Sequence, residues 1–577
     1  MTKEMKEEII EFIRENNLSP FNKSKTAVKN EGDGIYRTKD AKAVHNKVIS
    51  SLSSGFYFSD TSNLFNFFSF SSNSNEIKRR QAFFGEISKV IDSGFLSSIS
   101  VPKQWWKPKY GIIAVTEDEK TFNELQKLGC PVRFIINQSD LDSLDDYDIV
   151  QVIDCENFSR AFENLPQSVF LDSVDEVYLE RYVQLLSAWK ANIEILKENK
   201  LDGRIGEIVS SLDELFPLMD DGKKEMIKKE DIENAARVIN AAVSEEIKKL
   251  TISGDVLFKM LSKSTLPDEM MEIVKKAVND SGLPSSLFVR GIPVEIDESE
   301  MDKLIKKQNA AEHTTIAEKI KRKAGELRKV PALLSELSNL LLYFDFVSGI
   351  SKYCAGKVFP ENAEDFVIDN SANLFIDKAQ AISFNLNGDN RCSILTGANS
   401  GGKTTLLEHV IQLISLYNLG LPVSGNVKLP MFTEVYYFAK NKGSANKGAF
   451  ETLLTQMSKI KPGKQTLILA DEIESVTEPG VAGAIVSASA DFFIKQGCFM
   501  VVATHLGKEI EKKLPQYARV DGIEAKGLDE FYELIVDHNP VLGRLANSTP
   551  ELIVEKMANS FKTDYFNHLY QFLKNNK

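Results

Sequence analysis

Residues 392 to 417 leave little choice of local fold. CSILT (392 to 396) is a short apolar strand candidate, GANSGGKTT (397 to 405) is a glycine-rich turn, and TLLEHVIQLISLY carries Leu406, Leu407, Val410, Ile411 and Ile414 at helical spacing. The turn matches G-x-x-x-x-G-K-[ST] in full through Gly397, Gly402, Lys403 and Thr404. Strand, glycine loop, helix is the order a phosphate-binding loop requires. Gly401 and Gly402 keep side chains out of the way, so backbone N–H groups from Gly397, Ala398, Asn399, Ser400, Gly401, Gly402, Lys403, Thr404 and Thr405 can converge on phosphates at a helix N-terminus. Lys403 supplies a mobile positive charge and the Thr404 hydroxyl a ligand for Mg²⁺.

Two further strand candidates end in chemistry. TLILADE (466 to 472) is a buried-strand pattern closed by two carboxylates: Asp471 suits a magnesium-bound water, and Glu472 can polarise an attacking water as general base. CFMVVATH (498 to 505) ends in Thr504 and His505, a hydrogen-bonding ring where a terminal phosphate or its water would be sensed. A single Asp-Glu or His at a strand end is ordinarily solvated. Two such ends in order, after a phosphate loop, read as ATP hydrolysis with ATP and Mg²⁺ as cofactors.

The rest of the chain sets limits. At 577 residues it has material for roughly three to five domains. Five scattered cysteines show neither a disulfide framework nor metal-ligand spacing, which suggests a reducing cytoplasm. No signal peptide is visible at the N-terminus, and no run approaches the roughly 18 apolar residues of a membrane span. The net charge of −12 means that any surface for nucleic acid must be local.

The expected organisation is multidomain, α and α/β. Residues 1–75 form an N-terminal helical and irregular segment whose phenylalanines favour packing; 76–185 form a core domain holding a small α/β insert at about 105–155. Long helices with short breaks, 186–345, suggest arms, and 346–577 hold the P-loop and the two strand-end motifs of an ATPase domain. Between 303 and 329 nine Lys or Arg face three Glu. Lys303, Lys306, Lys307, Lys319, Lys321, Arg322 and Lys323 are candidates to contact a phosphate backbone, against the plainer reading of a solvated helix face.

GANSGGKTTLLE, LADEIESVTEPG, VVATH and LGLPVSGNVKLPMFTEVYYF together resemble the ATPase domain of the MutS family, closely over about 346 to 577. The wording is most similar to an archaeal branch of MutS-related DNA-binding ATPases. The resemblance implies lever-arm or clamp helices over 186–345, an ABC-like P-loop ATPase domain over 346–577 with a terminal helix-turn-helix, and a homodimer with ATP between two ATPase domains and arms enclosing DNA; it carries over to Lys403, Thr404, Asp471, Glu472 and His505. The family's trans-acting S-T-F falls on Gly448-Ala449-Phe450, so its serine is missing there and Ser444 is the candidate substitute. NSTPELIVEKMANS (547 to 560) resembles the dimer-stabilising helix-turn-helix, or else is a plain terminal helix pair.

Departures from the family narrow the substrate. Only about 75 residues precede the core-like helix RRQAFFGEI, too few for a mismatch-recognition domain. The F-x-E triplets Phe84-Gly85-Glu86 and Phe531-Tyr532-Glu533 are expected by chance among 35 phenylalanines. Little chain follows the ATPase domain, so no nuclease domain is expected. The leading expectation is an ATP-gated dimeric clamp on double-stranded or structured DNA without mismatch preference. An RNA or ribosome clamp on the same ATPase is the alternative, and an SMC-type assembly ATPase is disfavoured because no L-S-G-G-Q precedes Asp471.

Overall fold

A computed structural model describes residues 2–22, 34–87, 93–201, 203–219, 226–250, 266–397, 401–440, 447–472, 479–528, 534–546, 550–561 and 563–575. The chain divides into two compact units, one of residues 1–97 with 338–577 and the other of 98–337.

The first unit is built on a six-stranded sheet. Its strands lie in the order Glu434–Phe438, Thr466–Asp471, Phe499–Ala503, Cys392–Gly397, Ala518–Leu528, Leu534–Val541. The first five run parallel and the last returns antiparallel. The strands Thr466–Asp471 and Phe499–Ala503 are buried at every residue, as parallel strands covered on both faces must be. A smaller four-stranded sheet lies in the same unit, in the order Glu361–Asn362, Asn426–Leu429, Phe366–Ser371, Ile382–Leu386.

The helix Lys403–Leu419 is buried on all sides, without interruption from His409 to Leu419. That explains the division of the chain, which differs from the boundaries expected at 75, 185 and 345. A helix buried all round needs cover on its outer faces, and Lys39–Ser53 and Ser74–Glu86 pack against it. Residues 35–38 extend the sheet edge: Tyr36 bridges Val435 in parallel, Val435 N–H donates to Ile35 O at 2.8 Å, and Thr38 Oγ1 donates to Tyr437 O at 2.7 Å. The first 97 residues are therefore part of the nucleotide-loop unit rather than a separate segment followed by a core domain.

The phenylalanines do pack. Phe68 stacks on Phe346 at 5.7 Å between ring centroids and meets Phe84 at 5.1 Å, and Phe65 meets Phe346 at 5.6 Å. Arg80, 5% exposed, donates from Nη1 to Asn418 O at 2.8 Å and to Phe68 O at 3.2 Å. Phe84 is buried in this cluster, and Phe531 and Glu533 lie outside the described residues.

The second unit holds the α/β insert and most of the long helices. Its sheet is parallel, ordered Val132–Phe134, Ile112–Thr116, Ile149–Val152, Ser168–Phe170, with helix Glu119–Lys127 between the first two strands in sequence. The insert thus runs on past 155 to a fourth strand whose three residues are too few to register as a pattern. The helices Glu180–Glu198, Arg204–Asp213, Lys229–Ile247, Asp268–Asp280 and Glu298–Lys321 belong to this same unit, so the expected break at 185 is not a boundary.

Ala324–Cys354 is one helical stretch that by length and composition alone could cross a membrane, although polar and charged residues interrupt it throughout. It carries Asp345, fully buried and accepting from Thr61 Oγ1 and the N–H groups of Tyr57 and Phe58. A buried carboxylate satisfied in this way marks the core helix of a folded unit.

Candidate functional site

The site is assembled where three parallel strands end beside one helix start. The strand Cys392–Gly397 leads into the loop, and Gly397 holds φ +134° with the space of a Cβ already taken by Ile523 O at 2.3 Å. Gly402 holds φ +94°, which a side chain would strain, and a Cβ there would come within 3.0 Å of His538 Nδ1. His538 Nδ1–H donates to Gly401 O at 2.9 Å, tying the hairpin strand to the loop. Ala398, Asn399 and Ser400 lie outside the described residues.

Lys403 is 3% exposed and its Nζ donates to Gly397 O at 2.7 Å, folded back across the mouth of the loop. Thr404 Oγ1 donates to Asp471 Oδ2 at 2.6 Å, joining the helix start to the next strand but one. Thr405 O accepts from Asn373 Nδ2 at 3.3 Å. Asp471 is buried, and its other oxygen, Oδ1, has no hydrogen-bond partner among the described residues. Burial raises its pKa, with the neighbouring Glu472 adding to the rise, while the Thr404 hydroxyl and Lys403 oppose it. An orphaned carboxylate oxygen beside a hydroxyl is an all-oxygen donor set, the kind a hard divalent cation such as Mg²⁺ takes.

Glu472 lies just past the strand end in the left-handed region at φ +45°, its N–H donating to Ala503 O at 2.9 Å. Its carboxylate is held at both oxygens. His505 Nε2 lies 2.8 Å from Oε1, and the Lys440 ammonium contacts Oε2. Burial alone would raise the Glu472 pKa, but the bonds from Lys440 and His505 outweigh it and hold the group below the ordinary glutamate value.

Beside the loop opens a cavity of about 590 Å³ lined by Thr404, Leu406, Ile376, Gln380, Val536 and His538 among others. His409 forms its inner wall, 2% exposed, with Nε2 3.2 Å from Ser371 Oγ and Nδ1 3.3 Å from Gln412 Oε1. Burial lowers its pKa to about 4.

Lys403, Thr404, Asp471, Glu472 and His505 are thus neighbours, as are Gly397, Gly401, Gly402 and Thr405. Gly448 and Phe450 open the helix Lys447–Met457, and Ser444 lies outside the described residues. Sequence reasoning missed Lys440 and His538. Lys440 carried one usable signal, since it follows the strand EVYYF and strand ends of a parallel sheet converge on one crevice. His538 carried none, being a lone histidine in an alternating strand.

The basic candidates of 303–329 belong to the second unit, and most have partners there. Lys303 pairs with Glu300 at 2.9 Å, Lys306 with Asp145 at 3.6 Å, Lys321 with Glu176 at 2.8 Å and Lys323 with Glu326 at 2.9 Å. Lys319 Nζ donates to Pro217 O at 2.9 Å, and Lys307 and Arg322 are exposed. The stretch is therefore less basic than its composition, because several of its cations bind the helix to the α/β sheet's acidic loops. The terminal helices Pro550–Phe561 and Asp564–Asn575 pack on each other through Phe561 and Phe566, 5.9 Å apart, leaving Ile553, Tyr565 and Phe572 exposed.

No protein-family model matches the chain. A DNA-binding protein MutS2 of Pyrococcus furiosus is 30% identical over 565 residues, spanning 90% of this chain and 96% of that relative. An endonuclease MutS2 of Solidesulfovibrio magneticus is 32% identical over 135 residues, 22% of this chain and 18% of its own length. One of Enterococcus faecalis is 25% identical over 375 residues, 61% and 45%. Similarity sustained along nearly the whole of both chains, as with the Pyrococcus relative, extends beyond the nucleotide loop to both units, and the chain belongs to the MutS2 family of MutS-related proteins.

Proposed function

We propose that this chain is an ATP-hydrolysing, DNA-binding protein, working as a homodimeric clamp related to DNA repair or recombination and without mismatch preference. The observation that carries the ATPase half is the cluster at the strand ends: Lys403 and Thr404 at a helix start, with Asp471, Glu472 and His505 in hydrogen-bonding reach of one another or of Thr404. The DNA half is supported by the name of the Pyrococcus relative, a DNA-binding protein aligned over 96% of its length.

In this reading the loop N–H groups and Lys403 hold the phosphates, and the cavity beside His538 and Gln380 takes the rest of the nucleotide. Thr404 and the Oδ1 of Asp471 would hold Mg²⁺, which supplies charge neutralisation on the phosphates when bound. Glu472 orients the attacking water and accepts its proton, and His505 fixes the carboxylate and faces the terminal phosphate. Gly448, Phe450 and Ser444 are the candidates to reach a partner's nucleotide, and the exposed apolar side chains of the terminal helices are the candidate dimer contact. Five free, buried cysteines suit the cytoplasm.

The endonuclease name belongs to bacterial relatives aligned over 18% and 45% of their lengths, and nuclease activity is not part of this reading. The test is an ATPase and binding assay. Lys403→Ala should abolish nucleotide binding at micromolar ATP, while Glu472→Gln should bind ATP and lose at least about a hundredfold in kcat. Glu472→Gln with ATP and Mg²⁺ is then offered plain duplex, mismatched duplex, junctions, structured RNA and ribosomes across a salt series. DNA binding with a steep salt slope and equal affinity for matched and mismatched duplex is expected; RNA or ribosomes outcompeting DNA would replace the cargo, and nicking of supercoiled plasmid would restore the nuclease.

A further inference from the structure

Glu472 is gripped by a residue that the hydrolysis scheme does not use. The Lys440 ammonium rests on Oε2 while His505 holds Oε1, so both carboxylate oxygens have an N–H partner in a side chain only 12% exposed. Lys440 comes from a different strand, two residues beyond Phe438, and so pulls the carboxylate towards the sheet edge. A carboxylate pinned at both ends cannot turn to meet a water without breaking one contact. His505 follows a strand end as Glu472 does and is in register with it through the Glu472 N–H to Ala503 O. Lys440 is the contact that can break. It is half exposed at the end of a four-carbon stem, and an ion pair of that kind is weak.

The backbone leading to Lys440 is set by the N-terminal segment. Asp40 Oδ2 accepts from Ala439 N–H at 3.2 Å, Thr38 Oγ1 is bonded to both the N–H and the O of Tyr437, and Arg37 forks onto Glu434 at 2.6 and 2.9 Å. The stem is therefore delivered to a fixed place while its ammonium stays exchangeable. Nucleotide phosphates, carrying several negative charges, are the stronger partner for that ammonium once they enter the loop.

We propose that Lys440 is a resting-state clasp, which pins the Glu472 carboxylate until nucleotide phosphates draw the ammonium away and thereby limits the basal rate of hydrolysis. The proposal rests on the reading of Glu472 as the residue that activates water. Lys440 is a positioning residue, acting through Glu472.

Steady-state ATPase of the full chain tests it, comparing the parent with Lys440→Met, Lys440→Arg and Asp40→Ala, each checked for an unchanged melting temperature. Lys440→Met should raise kcat roughly two- to fivefold with KM moved less than about twofold, the scale of one partly exposed ion pair. Lys440→Arg should stay near the parent, and Asp40→Ala should rise less than Lys440→Met. An unchanged or lower kcat in Lys440→Met overturns the clasp, as does an equal rise in Lys440→Arg, which would mean the charge is irrelevant. If the parent hydrolyses no ATP, a gain in Lys440→Met supports the clasp and none overturns it. Hydrolysis that survives Lys403→Ala would instead sink the site assignment itself.

Discussion

A glycine and a histidine show how little freedom the site residues have. At Gly402 the φ of +94° already costs a side chain about 1 to 2 kcal/mol, and a Cβ would crowd His538 Nδ1. Gly402→Ala should therefore lower the melting temperature and weaken ATP binding together, because the displaced imidazole also gives up Gly401 O. A calorimetric scan beside an ATP titration reads both; loss of one without the other would contradict the coupling. His409 makes a prediction in pH. Unfolded, it titrates at its ordinary 6.5, and folded at about 4, so the unfolded chain binds the extra proton between those values. Its contribution to stability is complete above 6.5 and falls at up to about 1.4 kcal/mol per pH unit as pH drops towards 4. Denaturant melts at pH 7 and 5 should show His409→Gln losing less stability over that interval than the parent.

At the scale of elements, the helix Lys403–Leu419 is the organising piece, and its C-terminal end is as tightly specified as its start. Gly420 caps it at φ +80°, and a Cβ there would stand 2.3 Å from the Arg80 Cβ. Gly420→Ala should cost about 2 kcal/mol or more, combining the left-handed backbone with displacement of Arg80 from the carbonyls of Asn418 and Phe68. Urea denaturation of Gly420→Ala against Gly356→Ala separates the two causes, since Gly356 has φ +72° but open space around its missing Cβ. Elements of this kind differ in how far sequence exposes them. The helix and its flanking strands were legible because their periodicity is local and their glycines mark the turn. The full burial of the helix was not: only one face carries the five regularly spaced apolar residues, and Gln412, Ser415 and Asn418, also buried, read as a polar side. They are buried because Tyr36, His45, Asn373 and Arg80 meet them with hydrogen bonds, two of these through Ser415 Oγ at 2.7 and 3.2 Å.

For the whole molecule, legibility follows separation along the chain. Lys403, Thr404, Asp471, Glu472 and His505 each stand at the end of a locally readable strand or start of a helix, so their convergence followed from sheet topology alone. The second unit's α/β sheet was readable for the same reason, except for the three-residue strand Ser168–Phe170. What could not be read is any partnership between distant segments. Arg37 with Glu434, Thr38 with Tyr437 and Arg80 with Asn418 are separated by 397, 399 and 338 residues, and no period or motif connects them. The ion pairs that tie Lys306 and Lys321 to Asp145 and Glu176 were invisible likewise, which left a stretch of helix looking more available to phosphates than it is.

The sheet edge completed by residues 35–38 has a consequence for how this protein is made. Synthesis delivers the N-terminal strand and helices first and the edge strand Glu434–Phe438 only after most of the chain has left the ribosome. Phe65, Phe68 and Phe84 likewise lack Phe346 until more than half of the chain is made, and the early chain presents an apolar surface suited to a chaperone. Conversely, a fragment of residues 338–577 carries the phosphate loop with its central helix uncovered. Expressed alone it should aggregate, and co-expression with residues 1–97 should return it to the soluble fraction, a complementation that a sedimentation assay would read directly.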